Sequence, residues 1–254
     1  MKVRVLGCGT SSGVPRIGND WGDCDPTDPR NRRTRASILV ETETTRILVD
    51  TSPDMREQLL AADVATVDAV IWTHDHADHC HGIDDLRQIF HARGTPVPGF
   101  GPAETMDALA ERFAYAFHGR DGYPATVERH ALSTDLMIGD IRVRSVMQPH
   151  GHIFSAGLRF DHGGSAVGYS TDFHMVTPDM LDLFAGVDIW IVDALRERPH
   201  PTHPHLRMTL DAIATCKPGR AVLTHMDQSM DYAALSARLP ETVSPGYDGW
   251  AAWT

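Results

Sequence analysis

Thr73-His74-Asp75-His76-Ala77-Asp78-His79-Cys80-His81-Gly82 follows directly on the apolar run Ala69-Val70-Ile71-Trp72. The run reads as a strand and the ten residues after it as a loop at the strand's end. Within that loop the pattern H-x-H-x-D-H brings together three imidazoles, His74, His76 and His79, and the carboxylate of Asp78. Nitrogen and carboxylate oxygen donors of this kind suit zinc, manganese or iron, and their close spacing serves two ions better than one. Two metals in one cleft point to hydrolysis. A plain solvated turn would not need four such donors.

The pattern resembles the metallo-β-lactamase superfamily. That resemblance implies an α/β fold, a four-layer αββα sandwich, with further ligands at the ends of later strands. His150 follows Ile141–Met147, Asp172 follows Ala166–Thr171, and His225 follows Ala221–Thr224. By resemblance, His74, His76 and His150 hold one divalent metal ion, zinc or manganese. Asp78, His79 and His225 hold the other, and Asp172 bridges the two together with a water-derived hydroxide. Asp78 and Asp172 are therefore catalytic as well as ligating. Pro149-His150-Gly151-His152 offers two imidazoles. His150 is preferred because the family's His-Gly pair lies seven residues before a glycine, here Gly157, which leaves His152 on the substrate side or on the surface.

At 254 residues with 42% hydrophobic content, the chain is expected to form a single domain over residues 1–254. No apolar run approaches the roughly 18 residues of a membrane span. Met1-Lys2-Val3-Arg4-Val5-Leu6 runs into a glycine loop where a secretory leader would carry its apolar stretch, so a cytoplasmic location is expected, with no membrane partner. Cys8, Cys24, Cys80 and Cys216 lack paired spacing, which favours reduced thiols. The formal net charge of −11 disfavours long nucleic acid and leaves a small phosphate diester or nucleotide as the expected partner, with a homodimer also open.

Val3–Leu6 reads as a first strand leading into Gly7-Cys8-Gly9-Thr10-Ser11-Ser12-Gly13-Val14-Pro15, a loop that is either a phosphate-contacting turn or a structural one. The polar stretch from Gly18 to Arg35 ends in Asp28-Pro29-Arg30-Asn31-Arg32-Arg33-Thr34-Arg35. Its arginines either orient a phosphate or form a solvated charge run. Cys24 stands there without partner thiols, so no structural zinc is expected in this loop. Ala36–Glu41 and Thr45–Asp50 predict a hairpin ending at Asp50, which either steadies the metal loop or caps the helix of Met55–Ala61. Helices are expected at Ile83–Ala92, Pro102–Phe117, Pro178–Phe184, Leu210–Thr215 and Tyr232–Leu239, and a strand at Val187–Asp193.

Arg198-Pro199-His200-Pro201-Thr202-His203-Pro204-His205 is too rich in proline for a helix and presents its histidines from an extended loop. This run, the L-G-C-G-T-S-S-G-V-P opening, Y-S-T-D, L-T-H and Tyr247-Asp248-Gly249 span nearly the whole chain. Together they resemble the phosphoribosyl 1,2-cyclic phosphodiesterases associated with phosphonate degradation, a branch related to tRNase Z. The resemblance implies hydrolysis of a small cyclic phosphate diester, 5-phosphoribosyl 1,2-cyclic phosphate, by hydroxide between two metals. By the same resemblance, His203 is expected to contact the phosphate and protonate the leaving oxygen, a role that suits histidine because it retains a usable proton fraction near neutral pH. His200 and His152 are read as further substrate contacts or ordinary loop residues. Cleavage of nucleotides or RNA is the alternative, weakened by the acidic balance and by the lack of a basic arm. Glyoxalase II-like thioester hydrolysis and metal-dependent nucleotide binding without turnover stand behind it.

Overall fold

The computed structural model describes residues 1–254. The first sheet takes its strands mainly from the first half of the chain: β1 (Lys2–Gly7), β2 (Ser37–Glu41), β3 (Arg46–Val49), β4 (Ala69–Ile71), β5 (Val97–Gly101) and β6 (Val127–Ala131). The second contains β7 (Asp135–Ile138), β8 (Ile141–His150), β9 (Ile153–His162), β10 (Ser165–Ser170), β11 (Ile189–Asp193), β12 (Arg220–Thr224) and β13 (Val243–Pro245). A last strand, β14 (Ala251–Trp253), returns to the first sheet and pairs antiparallel with β1. Each sheet has seven strands, ordered β14-β1-β2-β3-β4-β5-β6 and β13-β12-β11-β10-β9-β8-β7.

Alternation along the strands divides their side chains between two apolar layers. Ile38, Val40, Ile47 and Val49 share one core with Leu158, Phe160, Val167 and Val222 of the second sheet. Leu39 and Leu48 turn the other way and join Met55, Leu59, Trp72, Leu86 and Ile89 beneath the helices on the first sheet's outer face. Phe184 and Trp190, stacked at 4.9 Å, belong with Ile213 to the layer between the second sheet and its helices. Both sheets are thus covered on both faces, which is the expected αββα sandwich.

On the first sheet the helices are α1 (Met55–Ala61), α2 (Ala77–Cys80), α3 (Leu86–Arg93), α4 (Ala103–Arg112) and α5 (Ala114–His118). On the second they are α6 (Pro178–Phe184), α7 (Leu206–Cys216) and α8 (Tyr232–Ser236). The single helix expected over Pro102–Phe117 is broken at Phe113, whose φ of −118° and ψ of 42° lie outside helical values. Ile83–Asp85 form a 3-10 turn before α3, and the last helix stops at Ser236 instead of Leu239. The expected hairpin is β2 and β3, in antiparallel register from Ile38↔Val49 to Glu41↔Arg46.

The parallel pairs β3·β4 and β10·β11·β12 bring the ends of these strands to one edge of the sandwich. Asp50, Asp172 and His225 stand just past β3, β10 and β12, all with positive φ, at 63°, 57° and 56°. Non-glycine residues pay a steric cost in this region, and it recurs where a chain is bent sharply to aim a functional side chain.

Candidate metal centre

At that edge, the loop from Thr73 to Gly82 is pinned from below by Asp50. The Asp50 carboxylate accepts the backbone N–H of Thr73 at 2.8 Å and its hydroxyl at 2.9 Å, and lies 2.7 Å from His79 Nδ1. The Thr73 hydroxyl spends its single proton on Asp50, so at 3.0 Å it accepts Nδ1–H of His74. His150 donates Nδ1–H to the Thr202 carbonyl at 2.9 Å. In all three imidazoles Nδ1 is occupied, which leaves the Nε2 lone pair for the cleft. Gly82 permits the loop's close seating: a Cβ there would lie 2.1 Å from the Ser52 carbonyl oxygen.

The residues singled out in the sequence fall into two groups around Asp172. Ligand atoms of His74, His76, His150 and Asp172 lie within 4.8 Å of one another, and so do those of Asp78, His79 and His225. Asp172 Oδ1 faces the first group, at 3.9 Å from His74 Nε2 and 3.5 Å from His150 Nε2. Its Oδ2 faces the second, at 3.2 Å from His79 Nε2 and 3.5 Å from His225 Nε2. Of the two neighbouring imidazoles, His150 enters the cluster, while His152 stays exposed on the wall of the cleft. His203 lines the cleft and stacks on His225, with rings 4.9 Å apart and 14° from parallel. His200 does not line it; its Nδ1 accepts the Thr202 N–H at 3.3 Å and its ring leans against His203.

Asp193, at the end of β11, belongs to this site although the sequence analysis placed it only on a strand. Its Oδ2 accepts the backbone N–H of Asp172 at 2.9 Å and lies 3.3 Å from His203 Nδ1 and 3.7 Å from His225 Nδ1. The available signal was an apolar run ending in aspartate, as at Asp50.

Asp50, Asp78, Asp172 and Asp193 are buried or nearly so, and no lysine or arginine pairs with any of them; the only ionisable partners of their carboxylates are imidazoles. Burial disfavours the charge of Asp172, but the imidazoles of His225 and His79 more than offset it and hold the carboxyl well below the usual range. Burial likewise opposes the imidazolium of His225, yet Asp172 and Asp193 push its pKa up to about 9. For His74 burial prevails, and its pKa falls well below the ordinary value. Nε2 of His74 and of His79 is buried without a hydrogen-bond partner, as is Oδ1 of Asp193. Buried nitrogens and a carboxylate oxygen without partners are costly in a protein interior, and divalent cations would satisfy both. The donor set therefore fits divalent metals. A cavity of about 300 Å³ opens over it, lined by Ser11, His76, Asp78, His150, Asp172 and His203 among others.

Residues 45–226 match the family described as "Beta-lactamase superfamily domain". A crystal structure described as a new diphosphatase from the PhnP family superposes with a TM-score of 0.90 at 32% identity, covering 99% of this chain and 97% of that one. An octanoyltransferase of Porphyromonas gingivalis is 30% identical over 259 residues, with 98% of this chain aligned to 51% of that protein. The chain thus spans about half the length of that curated relative. A ribonuclease Z of Methanococcus maripaludis is 29% identical over 110 residues, 42% of this chain and 35% of the relative. With the superfamily domain matched over most of its length and a PhnP-family structure aligned nearly end to end, the chain belongs to the beta-lactamase superfamily and, within it, to the PhnP family.

Proposed function

We propose that this protein is a dinuclear-metal phosphodiesterase acting on a small phosphate diester, with 5-phosphoribosyl 1,2-cyclic phosphate as the favoured substrate. The observation that carries the reading is Asp172, whose two carboxylate oxygens face two separate clusters of imidazole and carboxylate donors. His74, His76 and His150 would hold one ion, Asp78, His79 and His225 the other, and Asp172 both, with zinc or manganese suited to the nitrogen and oxygen donors. Bound there, the ions would neutralise the phosphoryl oxygens and lower the pKa of water to give a nucleophile at neutral pH.

The chain's own residues supply the rest. Asp50 and the Thr202 carbonyl fix the tautomers of His79 and His150, so that each presents a lone pair to the cleft. As the attacking oxygen joins phosphorus, the bond to the ester oxygen breaks and an alkoxide departs. His203 is placed to give that alkoxide a proton from Nε2, because Asp193 occupies its Nδ1 side. The proposed location is the cytoplasm; no helix is long and apolar enough to cross a membrane.

The likeness to a PhnP-family diphosphatase favours a second reading, cleavage of a phosphoanhydride in a nucleoside diphosphate derivative, which needs the same metals and a similar in-line attack. Phosphorus NMR of the zinc- or manganese-loaded protein separates the two. 5-Phosphoribosyl 1,2-cyclic phosphate, a 2′,3′-cyclic nucleotide, ADP-ribose and a short RNA are offered in parallel. Rapid opening of the ribosyl cyclic phosphate supports the first reading, and cleavage of ADP-ribose alone the second. Preference for the RNA would move the assignment to RNA processing, against the net charge of −11. Inertness toward all four would leave thioester hydrolysis or binding without turnover.

A further inference from the structure

We infer that Arg112, the last residue of α4, is a positioning residue for the candidate metal centre, setting the direction of His76 through the backbone of the loop that bears it. The inference rests on the ligand set proposed above, and is independent of the substrate. Arg112 reaches in from the outer helical layer and grips Asp75, the residue between His74 and His76. One Nη1 proton goes to the Asp75 carbonyl at 2.6 Å and the other to Cys80 Sγ at 3.4 Å, while Nη2 donates to Asp75 Oδ2 at 2.8 Å. The Cys80 thiol donates to the same carbonyl at 3.3 Å. A single guanidinium thus ties the first turn of the loop to the residue after His79.

His76 is the ligand for which this grip matters. The rings of His74, His79 and His150 are each aimed by a group on Nδ1: the Thr73 hydroxyl, the Asp50 carboxylate and the Thr202 carbonyl. The His76 ring has no such support. Its Nδ1 faces His150 Nε2 at 3.2 Å across the cluster, and its Nε2 has no protein hydrogen-bond partner. Its direction is therefore inherited from the backbone. From His74 to His76 no backbone N–H meets a protein acceptor, and the His76 carbonyl is bonded only within the loop, by the His79 N–H at 3.0 Å. Arg112 is the one anchor of these three residues from outside the loop.

The Asp75 carbonyl belongs to the planar peptide unit that carries the His76 nitrogen, so holding the carbonyl fixes the plane from which the ring projects. The rigid fork of a guanidinium serves a carbonyl and a carboxylate of one residue at once, which the point charge of a lysine does less well. A cation at the C-terminal end of α4 is also favoured by the helix dipole. The Arg112 side chain is 40% exposed, so the ion pair adds little to overall stability. Its contribution is to direction.

The test measures stepwise zinc affinities by chelator competition in wild type, Arg112→Met, Arg112→Lys and Arg129→Met. Arg129 is a matched control: its side chain is also 40% exposed and pairs with Asp107 of α4, away from the loop. Arg112→Met should weaken one of the two zinc equivalents about tenfold, with partial recovery in Arg112→Lys, while Arg129→Met leaves both unaltered. The urea midpoints of the metal-free variants should agree. Unaltered affinities in Arg112→Met overturn the inference, and so does a loss spread over both equivalents with a urea midpoint below that of Arg129→Met, which would make Arg112 a general support. Nitrogen-15 imidazole NMR of the metal-free protein separates this inference from the ligand reading. Arg112→Met should shift and broaden the His76 signals and spare those of His79 and His225. Failure of wild type to bind zinc would sink the ligand reading, whereas unmoved His76 signals overturn the positioning role whether or not zinc binds.

Discussion

The carboxylate of Asp193 accepts the backbone N–H of Asp172 at 2.9 Å, so one strand-end aspartate sets the position of the next. Through the same Oδ2 it also meets His203 and His225, coupling the position proposed to bridge the metals to the proposed proton donor. Asp193→Ala should therefore weaken metal binding and lower kcat, each by about 10- to 100-fold, as loss of outer partners of metal ligands does. Competition with a chromophoric chelator and steady-state kinetics measure the two. Full retention of both would remove Asp193 from the site.

Asp172→Ala and His203→Ala should differ in kind. The first takes away the carboxylate that faces both donor groups, and should lose one equivalent of metal together with turnover. The second should keep two equivalents and lose turnover by roughly 100- to 10,000-fold, the range expected for a general acid. Metal analysis by mass spectrometry alongside kcat distinguishes them. Normal turnover in the His203 variant would remove the proposed proton donor.

Gly82→Ala should destabilise the loop bearing four of the proposed ligands, because the new methyl falls 2.1 Å from the Ser52 carbonyl oxygen. Relief requires the loop to lift from the Asp50–Ser52 segment, at a cost of about 1–3 kcal/mol. A lower urea midpoint with lower metal affinity is expected, while the exposed Gly163→Ala, at a turn with nothing near its Cβ, should leave metal affinity alone.

Chelation should lower stability as well as abolish activity. Without cations, the only ionisable partners of Asp50, Asp78, Asp172 and Asp193 are imidazoles. Metal at 100 times its dissociation constant adds about 2.7 kcal/mol to the folded state. Scanning calorimetry after chelator treatment should show a lower Tm that zinc or manganese restores; an unchanged Tm would argue against a preformed metal centre.

Asp248 gives a pH dependence remote from the metals. Its carboxylate accepts the backbone N–H groups of Cys8 and Thr34 and the Thr34 hydroxyl, at 3.1, 2.7 and 2.6 Å. Burial outweighs these bonds and pushes its pKa up to about 6. Since the folded state then holds this proton more tightly than the unfolded chain, the Asp248 contribution to stability falls as pH rises through that interval. Asp248→Asn, which cannot ionise, should gain on wild type by about 2 kcal/mol between about pH 4 and pH 7, one edge of the group still meeting solvent. Urea denaturation of both proteins at the two pH values measures the difference; a constant gap would contradict the assignment.

How far the site was legible depended on how local each relationship is. His74, His76, Asp78 and His79 lie in six consecutive positions, so their convergence follows from one short loop after one strand. His150, Asp172 and His225 were reached only through family resemblance, because nothing in their own surroundings says that three distant strands end together. Asp193 stayed unassigned for the same reason: its partners are 10, 21 and 32 residues away and meet it only when β10, β11 and β12 lie side by side. The Arg30–Arg35 segment resisted reading because its four arginines have three different fates: two lie on aromatic rings, one is buried and one, Arg35, lies beside Asp54.

By itself, the sequence determined what is periodic or contiguous. Alternating strands with two apolar faces required two covered sheets, and the H-x-H-x-D-H loop supplied most of a metal site at one strand's end. Only the tertiary structure decided which imidazole nitrogen faces the cleft, that His150 and not His152 joins the cluster, and that His200 stays outside the cavity. Those outcomes depend on hydrogen bonds accepted by Asp50, Thr202 and Asp193 across the sheet edge. Pairing at such range follows from the order in which strands assemble, which a residue's sequence neighbours do not specify.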